Sequence, residues 1–229
     1  MVTTSDGAMP PSDSTRDDRA QSTREAILST AERLFAEQGI YNVSNRQISE
    51  AAGQGNNAAV HYHFGTKHDL IAALVERHQL TLERKRAAYV AQVGESPDLR
   101  DWVACLVLPI TDHLTELGRP TWHARFKAQL VTDPTLQAIL FHATSTDAGL
   151  HTAIEGLQRC VAHLPAPVRA ERADITKHLL MHMAADRERA IAHGVATPRE
   201  TWREAAEGLI DAIAGIWQAP VSRAAEPHG

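Results

Sequence analysis

The side chains best suited to recognition chemistry stand close together in one short segment. Gln54, Asn56, Asn57 and His61 are its polar groups. A Gln or Asn amide presents one donor and one acceptor side by side, the pattern that matches the adenine edge in the major groove of duplex DNA, so A·T pairs are expected wherever these amides reach bases. Ala58 and Ala59 are small enough to approach a base closely or to pack on Ile48, and Val60 is expected to pack. Other chemistry is poorly supplied. There is no nucleophile elbow, phosphate loop, HExxH or carboxylate pair in a motif context, so an enzyme is not expected. Thirteen histidines raise the question of metal. His178 and His182 fall one helical turn apart, with Asp174 and Asp186 near the same face, but no third ligand stands at motif spacing, and neither metal nor cofactor is expected. Cys105 and Cys160 are too few and too far apart for a disulfide framework, and read as small buried hydrophobes.

The amides need a frame, and the flanking residues supply one. Ser44 with Gln47 forms a capping box that opens a helix, for which Ile48, Ala51 and Ala52 provide a buried face. Gly53 and Gly55 stop it. Asn56 and Asn57 favour a second start, because a short side-chain oxygen takes up an unpaired backbone N–H, and Ala58 to His63 continue that helix. Thr66 with Asp69 opens the next. A preceding helix is expected from the Ser22–Glu25 box to Gly39, with Ile27, Ala31, Leu34 and Phe35 on one face.

Ala31, Leu34, Phe35, Gly39, Ile48, Ala51, Ala52, Gly53, Tyr62, His63, Phe64, Gly65, Lys67 and Leu70 stand in a pattern that resembles the DNA-binding head of the TetR-type transcriptional regulators. The resemblance covers about residues 21 to 75. Gly53 to Phe64 is one residue longer than the commonest family form, so a longer turn is expected. The resemblance implies a regulator, in its usual form a repressor, that binds a palindromic operator as a homodimer and is released by a small-molecule effector. It also implies that Tyr62, His63 and Lys67, with Ser44 and Arg46, contact phosphates, a role suited to hydroxyl, imidazole and cationic groups. Phe64 is expected in the core.

Lys and Arg number 23 against 28 Asp and Glu, a net charge of −5. Affinity for DNA depends on the charge that faces the phosphates, so Arg24, Arg46 and Lys67 imply modest, salt-sensitive binding. A DNA-packaging protein needs an excess of basic surface, which this chain lacks. With 229 residues, 43% of them hydrophobic, the chain can bury a full core. No run of about eighteen apolar residues is present to span a membrane, and the first twenty residues lack the apolar core of a signal peptide, so a cytoplasmic location is expected. Residues 1–20 read as a disordered tail in which Arg16 and Arg19 are balanced by Asp13, Asp17 and Asp18.

The expectation for the whole is an all-α chain of about nine helices. It comprises a three-helix head over residues 21–66, an effector-binding and dimerisation body over 67–218, and a flexible end over 219–229. One long helix should run from Lys67 to Val93 and another from Pro97 to Leu117 with a kink at Pro109. Others should run from Pro120 to Leu130, from Pro134 to about Val161, from Pro167 to His193, and from a Thr197–Glu200 box to Trp217. By the family resemblance, an effector pocket is placed among the fifth to seventh helices. Trp102, Cys105, Trp122, Phe126 and Phe141 are its candidate lining, and His113 or His123 its polar handles. The default ligand is mostly apolar, since few cations point inward. The resemblance also assigns the last two helices to a dimer bundle through Ile175, Leu179, His182, Met183, Trp202, Ala206, Leu209, Ile213, Ile216 and Trp217.

Overall fold

Capping residues set the boundaries of most helices in the computed structural model, which describes residues 13–54 and 58–222. Ten helices follow one another among the described residues: α1 (Asp13–Gln38), α2 (Asn45–Ala51), α3 (Ala59–Phe64), α4 (Lys67–Val93), α5 (Leu99–Leu117), α6 (His123–Thr132), α7 (Pro134–Thr144), α8 (Ala148–Cys160), α9 (Ala166–Ala192) and α10 (Trp202–Gln218). Ser44 and Thr66 form the expected reciprocal boxes with Gln47 and Asp69. Asp133 caps α7 through Thr135 and Leu136, with Pro134 at the first helical turn.

The structure departs from the sequence expectation in several places. Helix α1 begins at Asp13 and passes through the Ser22–Glu25 segment without a break. Neither Gly nor Pro interrupts Asp13–Gln38, and Gln21 bonds Glu25 one turn on, so the segment propagates a helix in place of starting one. The tail boundary drawn at residue 20 thus falls inside α1. The single element expected from Pro134 to Val161 is two helices, because Asp147 turns its carboxylate onto the Leu150 N–H at 2.8 Å and starts α8 afresh. The box before α10 is Thr201 with Glu204, not Thr197 with Glu200. Thr197 instead bonds the Arg199 carbonyl at 2.7 Å and receives Arg187 at 3.0 Å. In α2 it is Ser49, not Ala51, that is buried beside Ile48, and Ala51 faces solvent.

Helix α5 continues through Pro109. The Thr111 hydroxyl bonds back to Leu108 O at 3.2 Å in the turn that proline deprives of a donor. Gly156 of α8 lies directly under Trp102, and a Cβ there would sit 2.2 Å from the indole, so only glycine admits this close packing of α8 on α5.

Two apolar cores organise the chain. The first joins the head to the body: Ile27, Phe35, Ile48 and Val60 pack with Leu70 and Leu74 of α4 and with Phe126, Leu130, Leu136 and Ile139 of α6 and α7. The head therefore rests on the body through continuous apolar contact. The second core gathers Trp102, Val103, Val107, Leu157, Ile213 and Trp217 from α5, α8 and α10. Helix α9 lies against α6, and α10 lies against α5. No helix among the described residues is long and apolar enough to cross a membrane.

Candidate nucleic-acid interface

Helices α2 and α3 are short, so their placement depends on α1 and α4. Ile48 and Val60 are fully buried between those two, which turns the opposite faces of α2 and α3 outward. Tyr62 is 82% exposed, the most exposed large aromatic of the head, and its ring meets His63 edge-on at 5.1 Å. His61 and Ala58 are exposed beside it. His61 Nδ1 lies 3.0 Å from the Gly65 carbonyl, which leaves Nε2 to face outward. Arg46 projects from α2 and pairs with Glu50 at 2.8 Å, a contact that raises its pKa. Ser44 is exposed, with its hydroxyl accepting the Gln47 N–H at 3.2 Å. These groups are exposed on α2 and α3, and hydroxyl, imidazole and guanidinium groups are of the types that suit phosphate oxygens.

Two of the expected contacts, Gln54 and Lys67, are engaged within the chain. Asn56 and Asn57 lie outside the described residues. Gln54 is half-buried and donates its amide to the Ala52 carbonyl at 3.1 Å, closing the turn after α2. Lys67 reaches inward: its ammonium donates to the Val43 carbonyl at 2.6 Å and lies 5.5 Å from the centre of the Phe35 ring. Burial lowers its pKa. Its side chain fastens the start of α4 to the α1–α2 turn. Arg24 stacks over Phe64 at 5.0 Å, and Phe64 packs on the first core as expected.

The residues expected to line an effector pocket lie in different settings. Trp102, Cys105 and Phe126 are fully buried in tight packing, and burial pushes the Cys105 thiol up to about 11. Phe141 is 77% exposed on the outside of α7, because the start of α8 at Asp147 leaves that face uncovered. Trp122 donates to Glu37 of α1 at 3.0 Å. A cleft of about 250 Å³ opens elsewhere, among Arg119, Pro120, Thr121, Glu188, Ile191 and Trp202. Glu188 is nearly fully buried at its wall and accepts the Ala124 and Arg125 backbone N–H groups at 3.1 and 3.0 Å, as well as Arg125 Nε at 3.0 Å. It serves as the cap that α6 lacks in its own sequence, since Trp122 supplies none.

His113 and His123, expected as pocket handles, instead meet His78 and Glu32 in the interior. His78 Nδ1 lies 2.9 Å from His113 Nε2, and Glu32 Oε1 lies 3.2 Å from His78 Nε2 and 3.1 Å from His123 Nδ1. Burial would raise the Glu32 carboxyl, but the contacts from His123 and His78 outweigh it and hold it far below the usual carboxylate range. Burial lowers His113 to about 4 and His123 to about 3. Glu32 and His78 carry no motif signal in the sequence. No spacing along the chain links them to each other or to His113 and His123, so only the fold brings them together.

Of the expected interface residues, Ala206, Ile213 and Trp217 are buried within the chain, with Trp217 donating to Thr176 at 2.9 Å. They are unavailable to a partner, because the broad apolar stripe of α10 is already covered by α5 and α9. Trp202 is half-buried under the Arg187 guanidinium. Ile175 and Met183 remain 43% and 52% exposed, His182 is exposed, and Leu179, Leu209 and Ile216 are partly so. His178 and His182 stack at 6.0 Å on that same face.

A three-helix head with an outward helix-turn-helix face, set on an all-helical body, has the layout of a helix-turn-helix DNA-binding head. The model of the bacterial regulatory proteins of the tetR family matches residues 27–74. The match covers the head and the start of α4. The chain is 35% identical over 78 residues to the transcriptional regulator AcrR of Shigella flexneri, covering 34% of this chain and 36% of that protein. It is 32% identical over 89 residues to TtgR of Pseudomonas putida, covering 39% and 40% respectively. The matched segments thus span well under half the length of these curated relatives. A solved tetR family structure from Shewanella sp. PV-4 superposes with a TM-score of 0.58 at 20% identity, over 85% of this chain and 95% of that one, a likeness of fold.

Proposed function

We propose that the protein is a transcriptional repressor located in the cytoplasm, which binds a palindromic operator as a homodimer and lets go when a small molecule enters the body. The observation that carries the reading is the outward face of Ser44, Arg46, His61 and Tyr62, held by two buried anchors, Ile48 and Val60, within the segment that matches the family. Asn56 and Asn57, just ahead of α3 in the sequence, are the candidate base readers, with Ala58 beside them. Two such heads are needed to match two half-sites, and the exposed row Ile175, Leu179, His182 and Met183 on α9, with Leu209 and Ile216 of α10, offers a self-complementary face for a second copy.

Release follows from the way α6 is held. One end of α6 is capped by Glu188 beside the cleft, and its middle is bonded to the end of α1 through Gln129. A ligand seated against Ile191, Pro120 and Trp202 would displace the Glu188 cap and shift α6, and with it the head. Such a ligand is mostly apolar, with a group that Arg119 can bind.

Selection from a random duplex library with the full chain tests the reading. Enrichment of an inverted repeat with A·T pairs at equivalent half-site positions supports it. Equal affinity for random and selected duplexes at every salt concentration overturns it.

A further inference from the structure

Glu32, His78, His113 and His123 each come from a different helix, respectively α1, α4, α5 and α6, and each is at least nine-tenths buried. We propose that this cluster is a binding site for one divalent transition-metal ion of the zinc class, held by the three imidazoles, with the Glu32 carboxylate as the hydrogen-bond partner of His123. The site is separate from the operator-binding face and from the cleft beside Glu188.

The geometry supports an ion. One donor atom of each histidine lies within 4.8 Å of one from each of the others. A tetrahedral ion at 2.0–2.1 Å from each nitrogen sets them about 3.4 Å apart, so small ring rotations close the site. The rings already crowd together, with centroids 4.1 Å apart for His78 and His123 and 5.0 Å for His78 and His113. Hydrogen bonding alone leaves the set incompletely satisfied. His113 Nδ1 has no hydrogen-bond partner among the described residues, and His78 Nε2, though near Glu32, is out of line for a bond to it. Each such buried group costs roughly 1–3 kcal/mol when left unpaired, a cost that coordination to an ion removes.

The donor chemistry narrows the ion. Three imidazoles, without thiolate, suit zinc and its borderline neighbours in the first transition row rather than magnesium or calcium, which take oxygen ligands. Metal binding requires imidazoles without their second proton. The Glu32 carboxylate beside His78 and His123 would offset part of the charge of the ion. Because Glu32 on α1 contacts His123 on α6, the site reaches both the head and the body. The surface pair His178 and His182 lacks this enclosure.

Full-length protein stripped with a chelator and titrated with Co²⁺ provides the test, since four-coordinate Co²⁺ gives intense visible bands. The expected result is saturation at one Co²⁺ per chain, displacement by Zn²⁺, and a higher Tm with Zn²⁺. His113→Ala and His123→Ala should weaken binding by at least about 100-fold, more than the roughly 10- to 100-fold that follows when only a hydrogen-bond partner of a ligand is removed. The double variant His178→Ala, His182→Ala should bind normally. If the core variants do not fold, X-ray absorption of the zinc-loaded wild type decides: imidazole scattering around the ion supports the site, and oxygen neighbours alone overturn it. Absence of stoichiometric binding, or binding abolished only by the His178 and His182 changes, also overturns it, leaving a purely hydrogen-bonded cluster.

Discussion

Gln129 grips the turn at Ile40: its side-chain oxygen accepts the Ile40 N–H at 2.9 Å while its amide nitrogen donates to the Phe35 carbonyl at 2.7 Å. One amide of the body thereby holds the turn that follows α1, taking the Ile40 N–H and adding a second donor to Phe35 O, which also accepts the Gly39 N–H at 3.0 Å. Tyr41 to Asp133 at 2.5 Å and Trp122 to Glu37 at 3.0 Å bond the same junction on either side.

Replacing Gln129 by Leu keeps the volume and removes both bonds, stranding the Ile40 N–H while Phe35 O keeps its bond from Gly39. The expected loss is about 1–3 kcal/mol, read as a lower urea midpoint with an unchanged slope. A midpoint equal to that of the wild type would mean that the apolar core alone holds the head against the body.

Arg46 and Lys67 offer a second, sharper comparison because both are cations of the head in opposite settings. Arg46 projects with its side chain 73% exposed, whereas Lys67 is turned in upon Val43. Arg46→Ala should weaken operator binding and flatten its dependence on salt by about 0.9 in the log–log slope for each phosphate left without its cation. Lys67→Met should leave that slope unchanged and lower Tm instead. A flattened slope in the Lys67 variant would show that the ammonium leaves the Val43 carbonyl when DNA arrives.

The head is legible in the sequence because its signals are local. Capping boxes at Ser44 and Thr66 act over three residues, and the apolar spacing of Ile27, Ala31 and Phe35 repeats within one helix, so spacing along the chain stands in for distance in space. Lys67 is harder. A lysine in a phosphate-contacting motif reads as outward, and only the tertiary approach of the α1–α2 turn reveals the carbonyl it bonds. The interior of the body is least legible, since the partners there are remote in sequence: Glu32 meets His123 across 91 residues and Arg125 meets Glu188 across 63. The dimer stripe misleads for a related reason. Apolar spacing on α10 marks burial without saying against what, and Ala206, Ile213 and Trp217 are buried within their own chain.

Lys127 carries the last prediction. It is buried in α6, and its pKa falls from 10.5 to about 8 because burial disfavours the charged form and Arg86 repels it, against a partial attraction to Asp147. The unfolded chain therefore holds this proton more tightly than the folded one. Above pH 10.5 neither state is charged and the group costs nothing; as pH falls from 10.5 to about 8 stability is lost, and below about 8 the full penalty is in place. A shift of this size corresponds to roughly 3 kcal/mol as an upper figure. Lys127→Met, which keeps the aliphatic stem and removes the charge, should accordingly stabilise the protein at pH 7 by about 1–3 kcal/mol. The gain should shrink steadily between pH 8 and 10.5 when both proteins are unfolded in urea across that range. A gain that is constant with pH would assign the effect to packing alone, and a loss at pH 7 would mean that the attraction to Asp147 outweighs the cost of burying the ammonium.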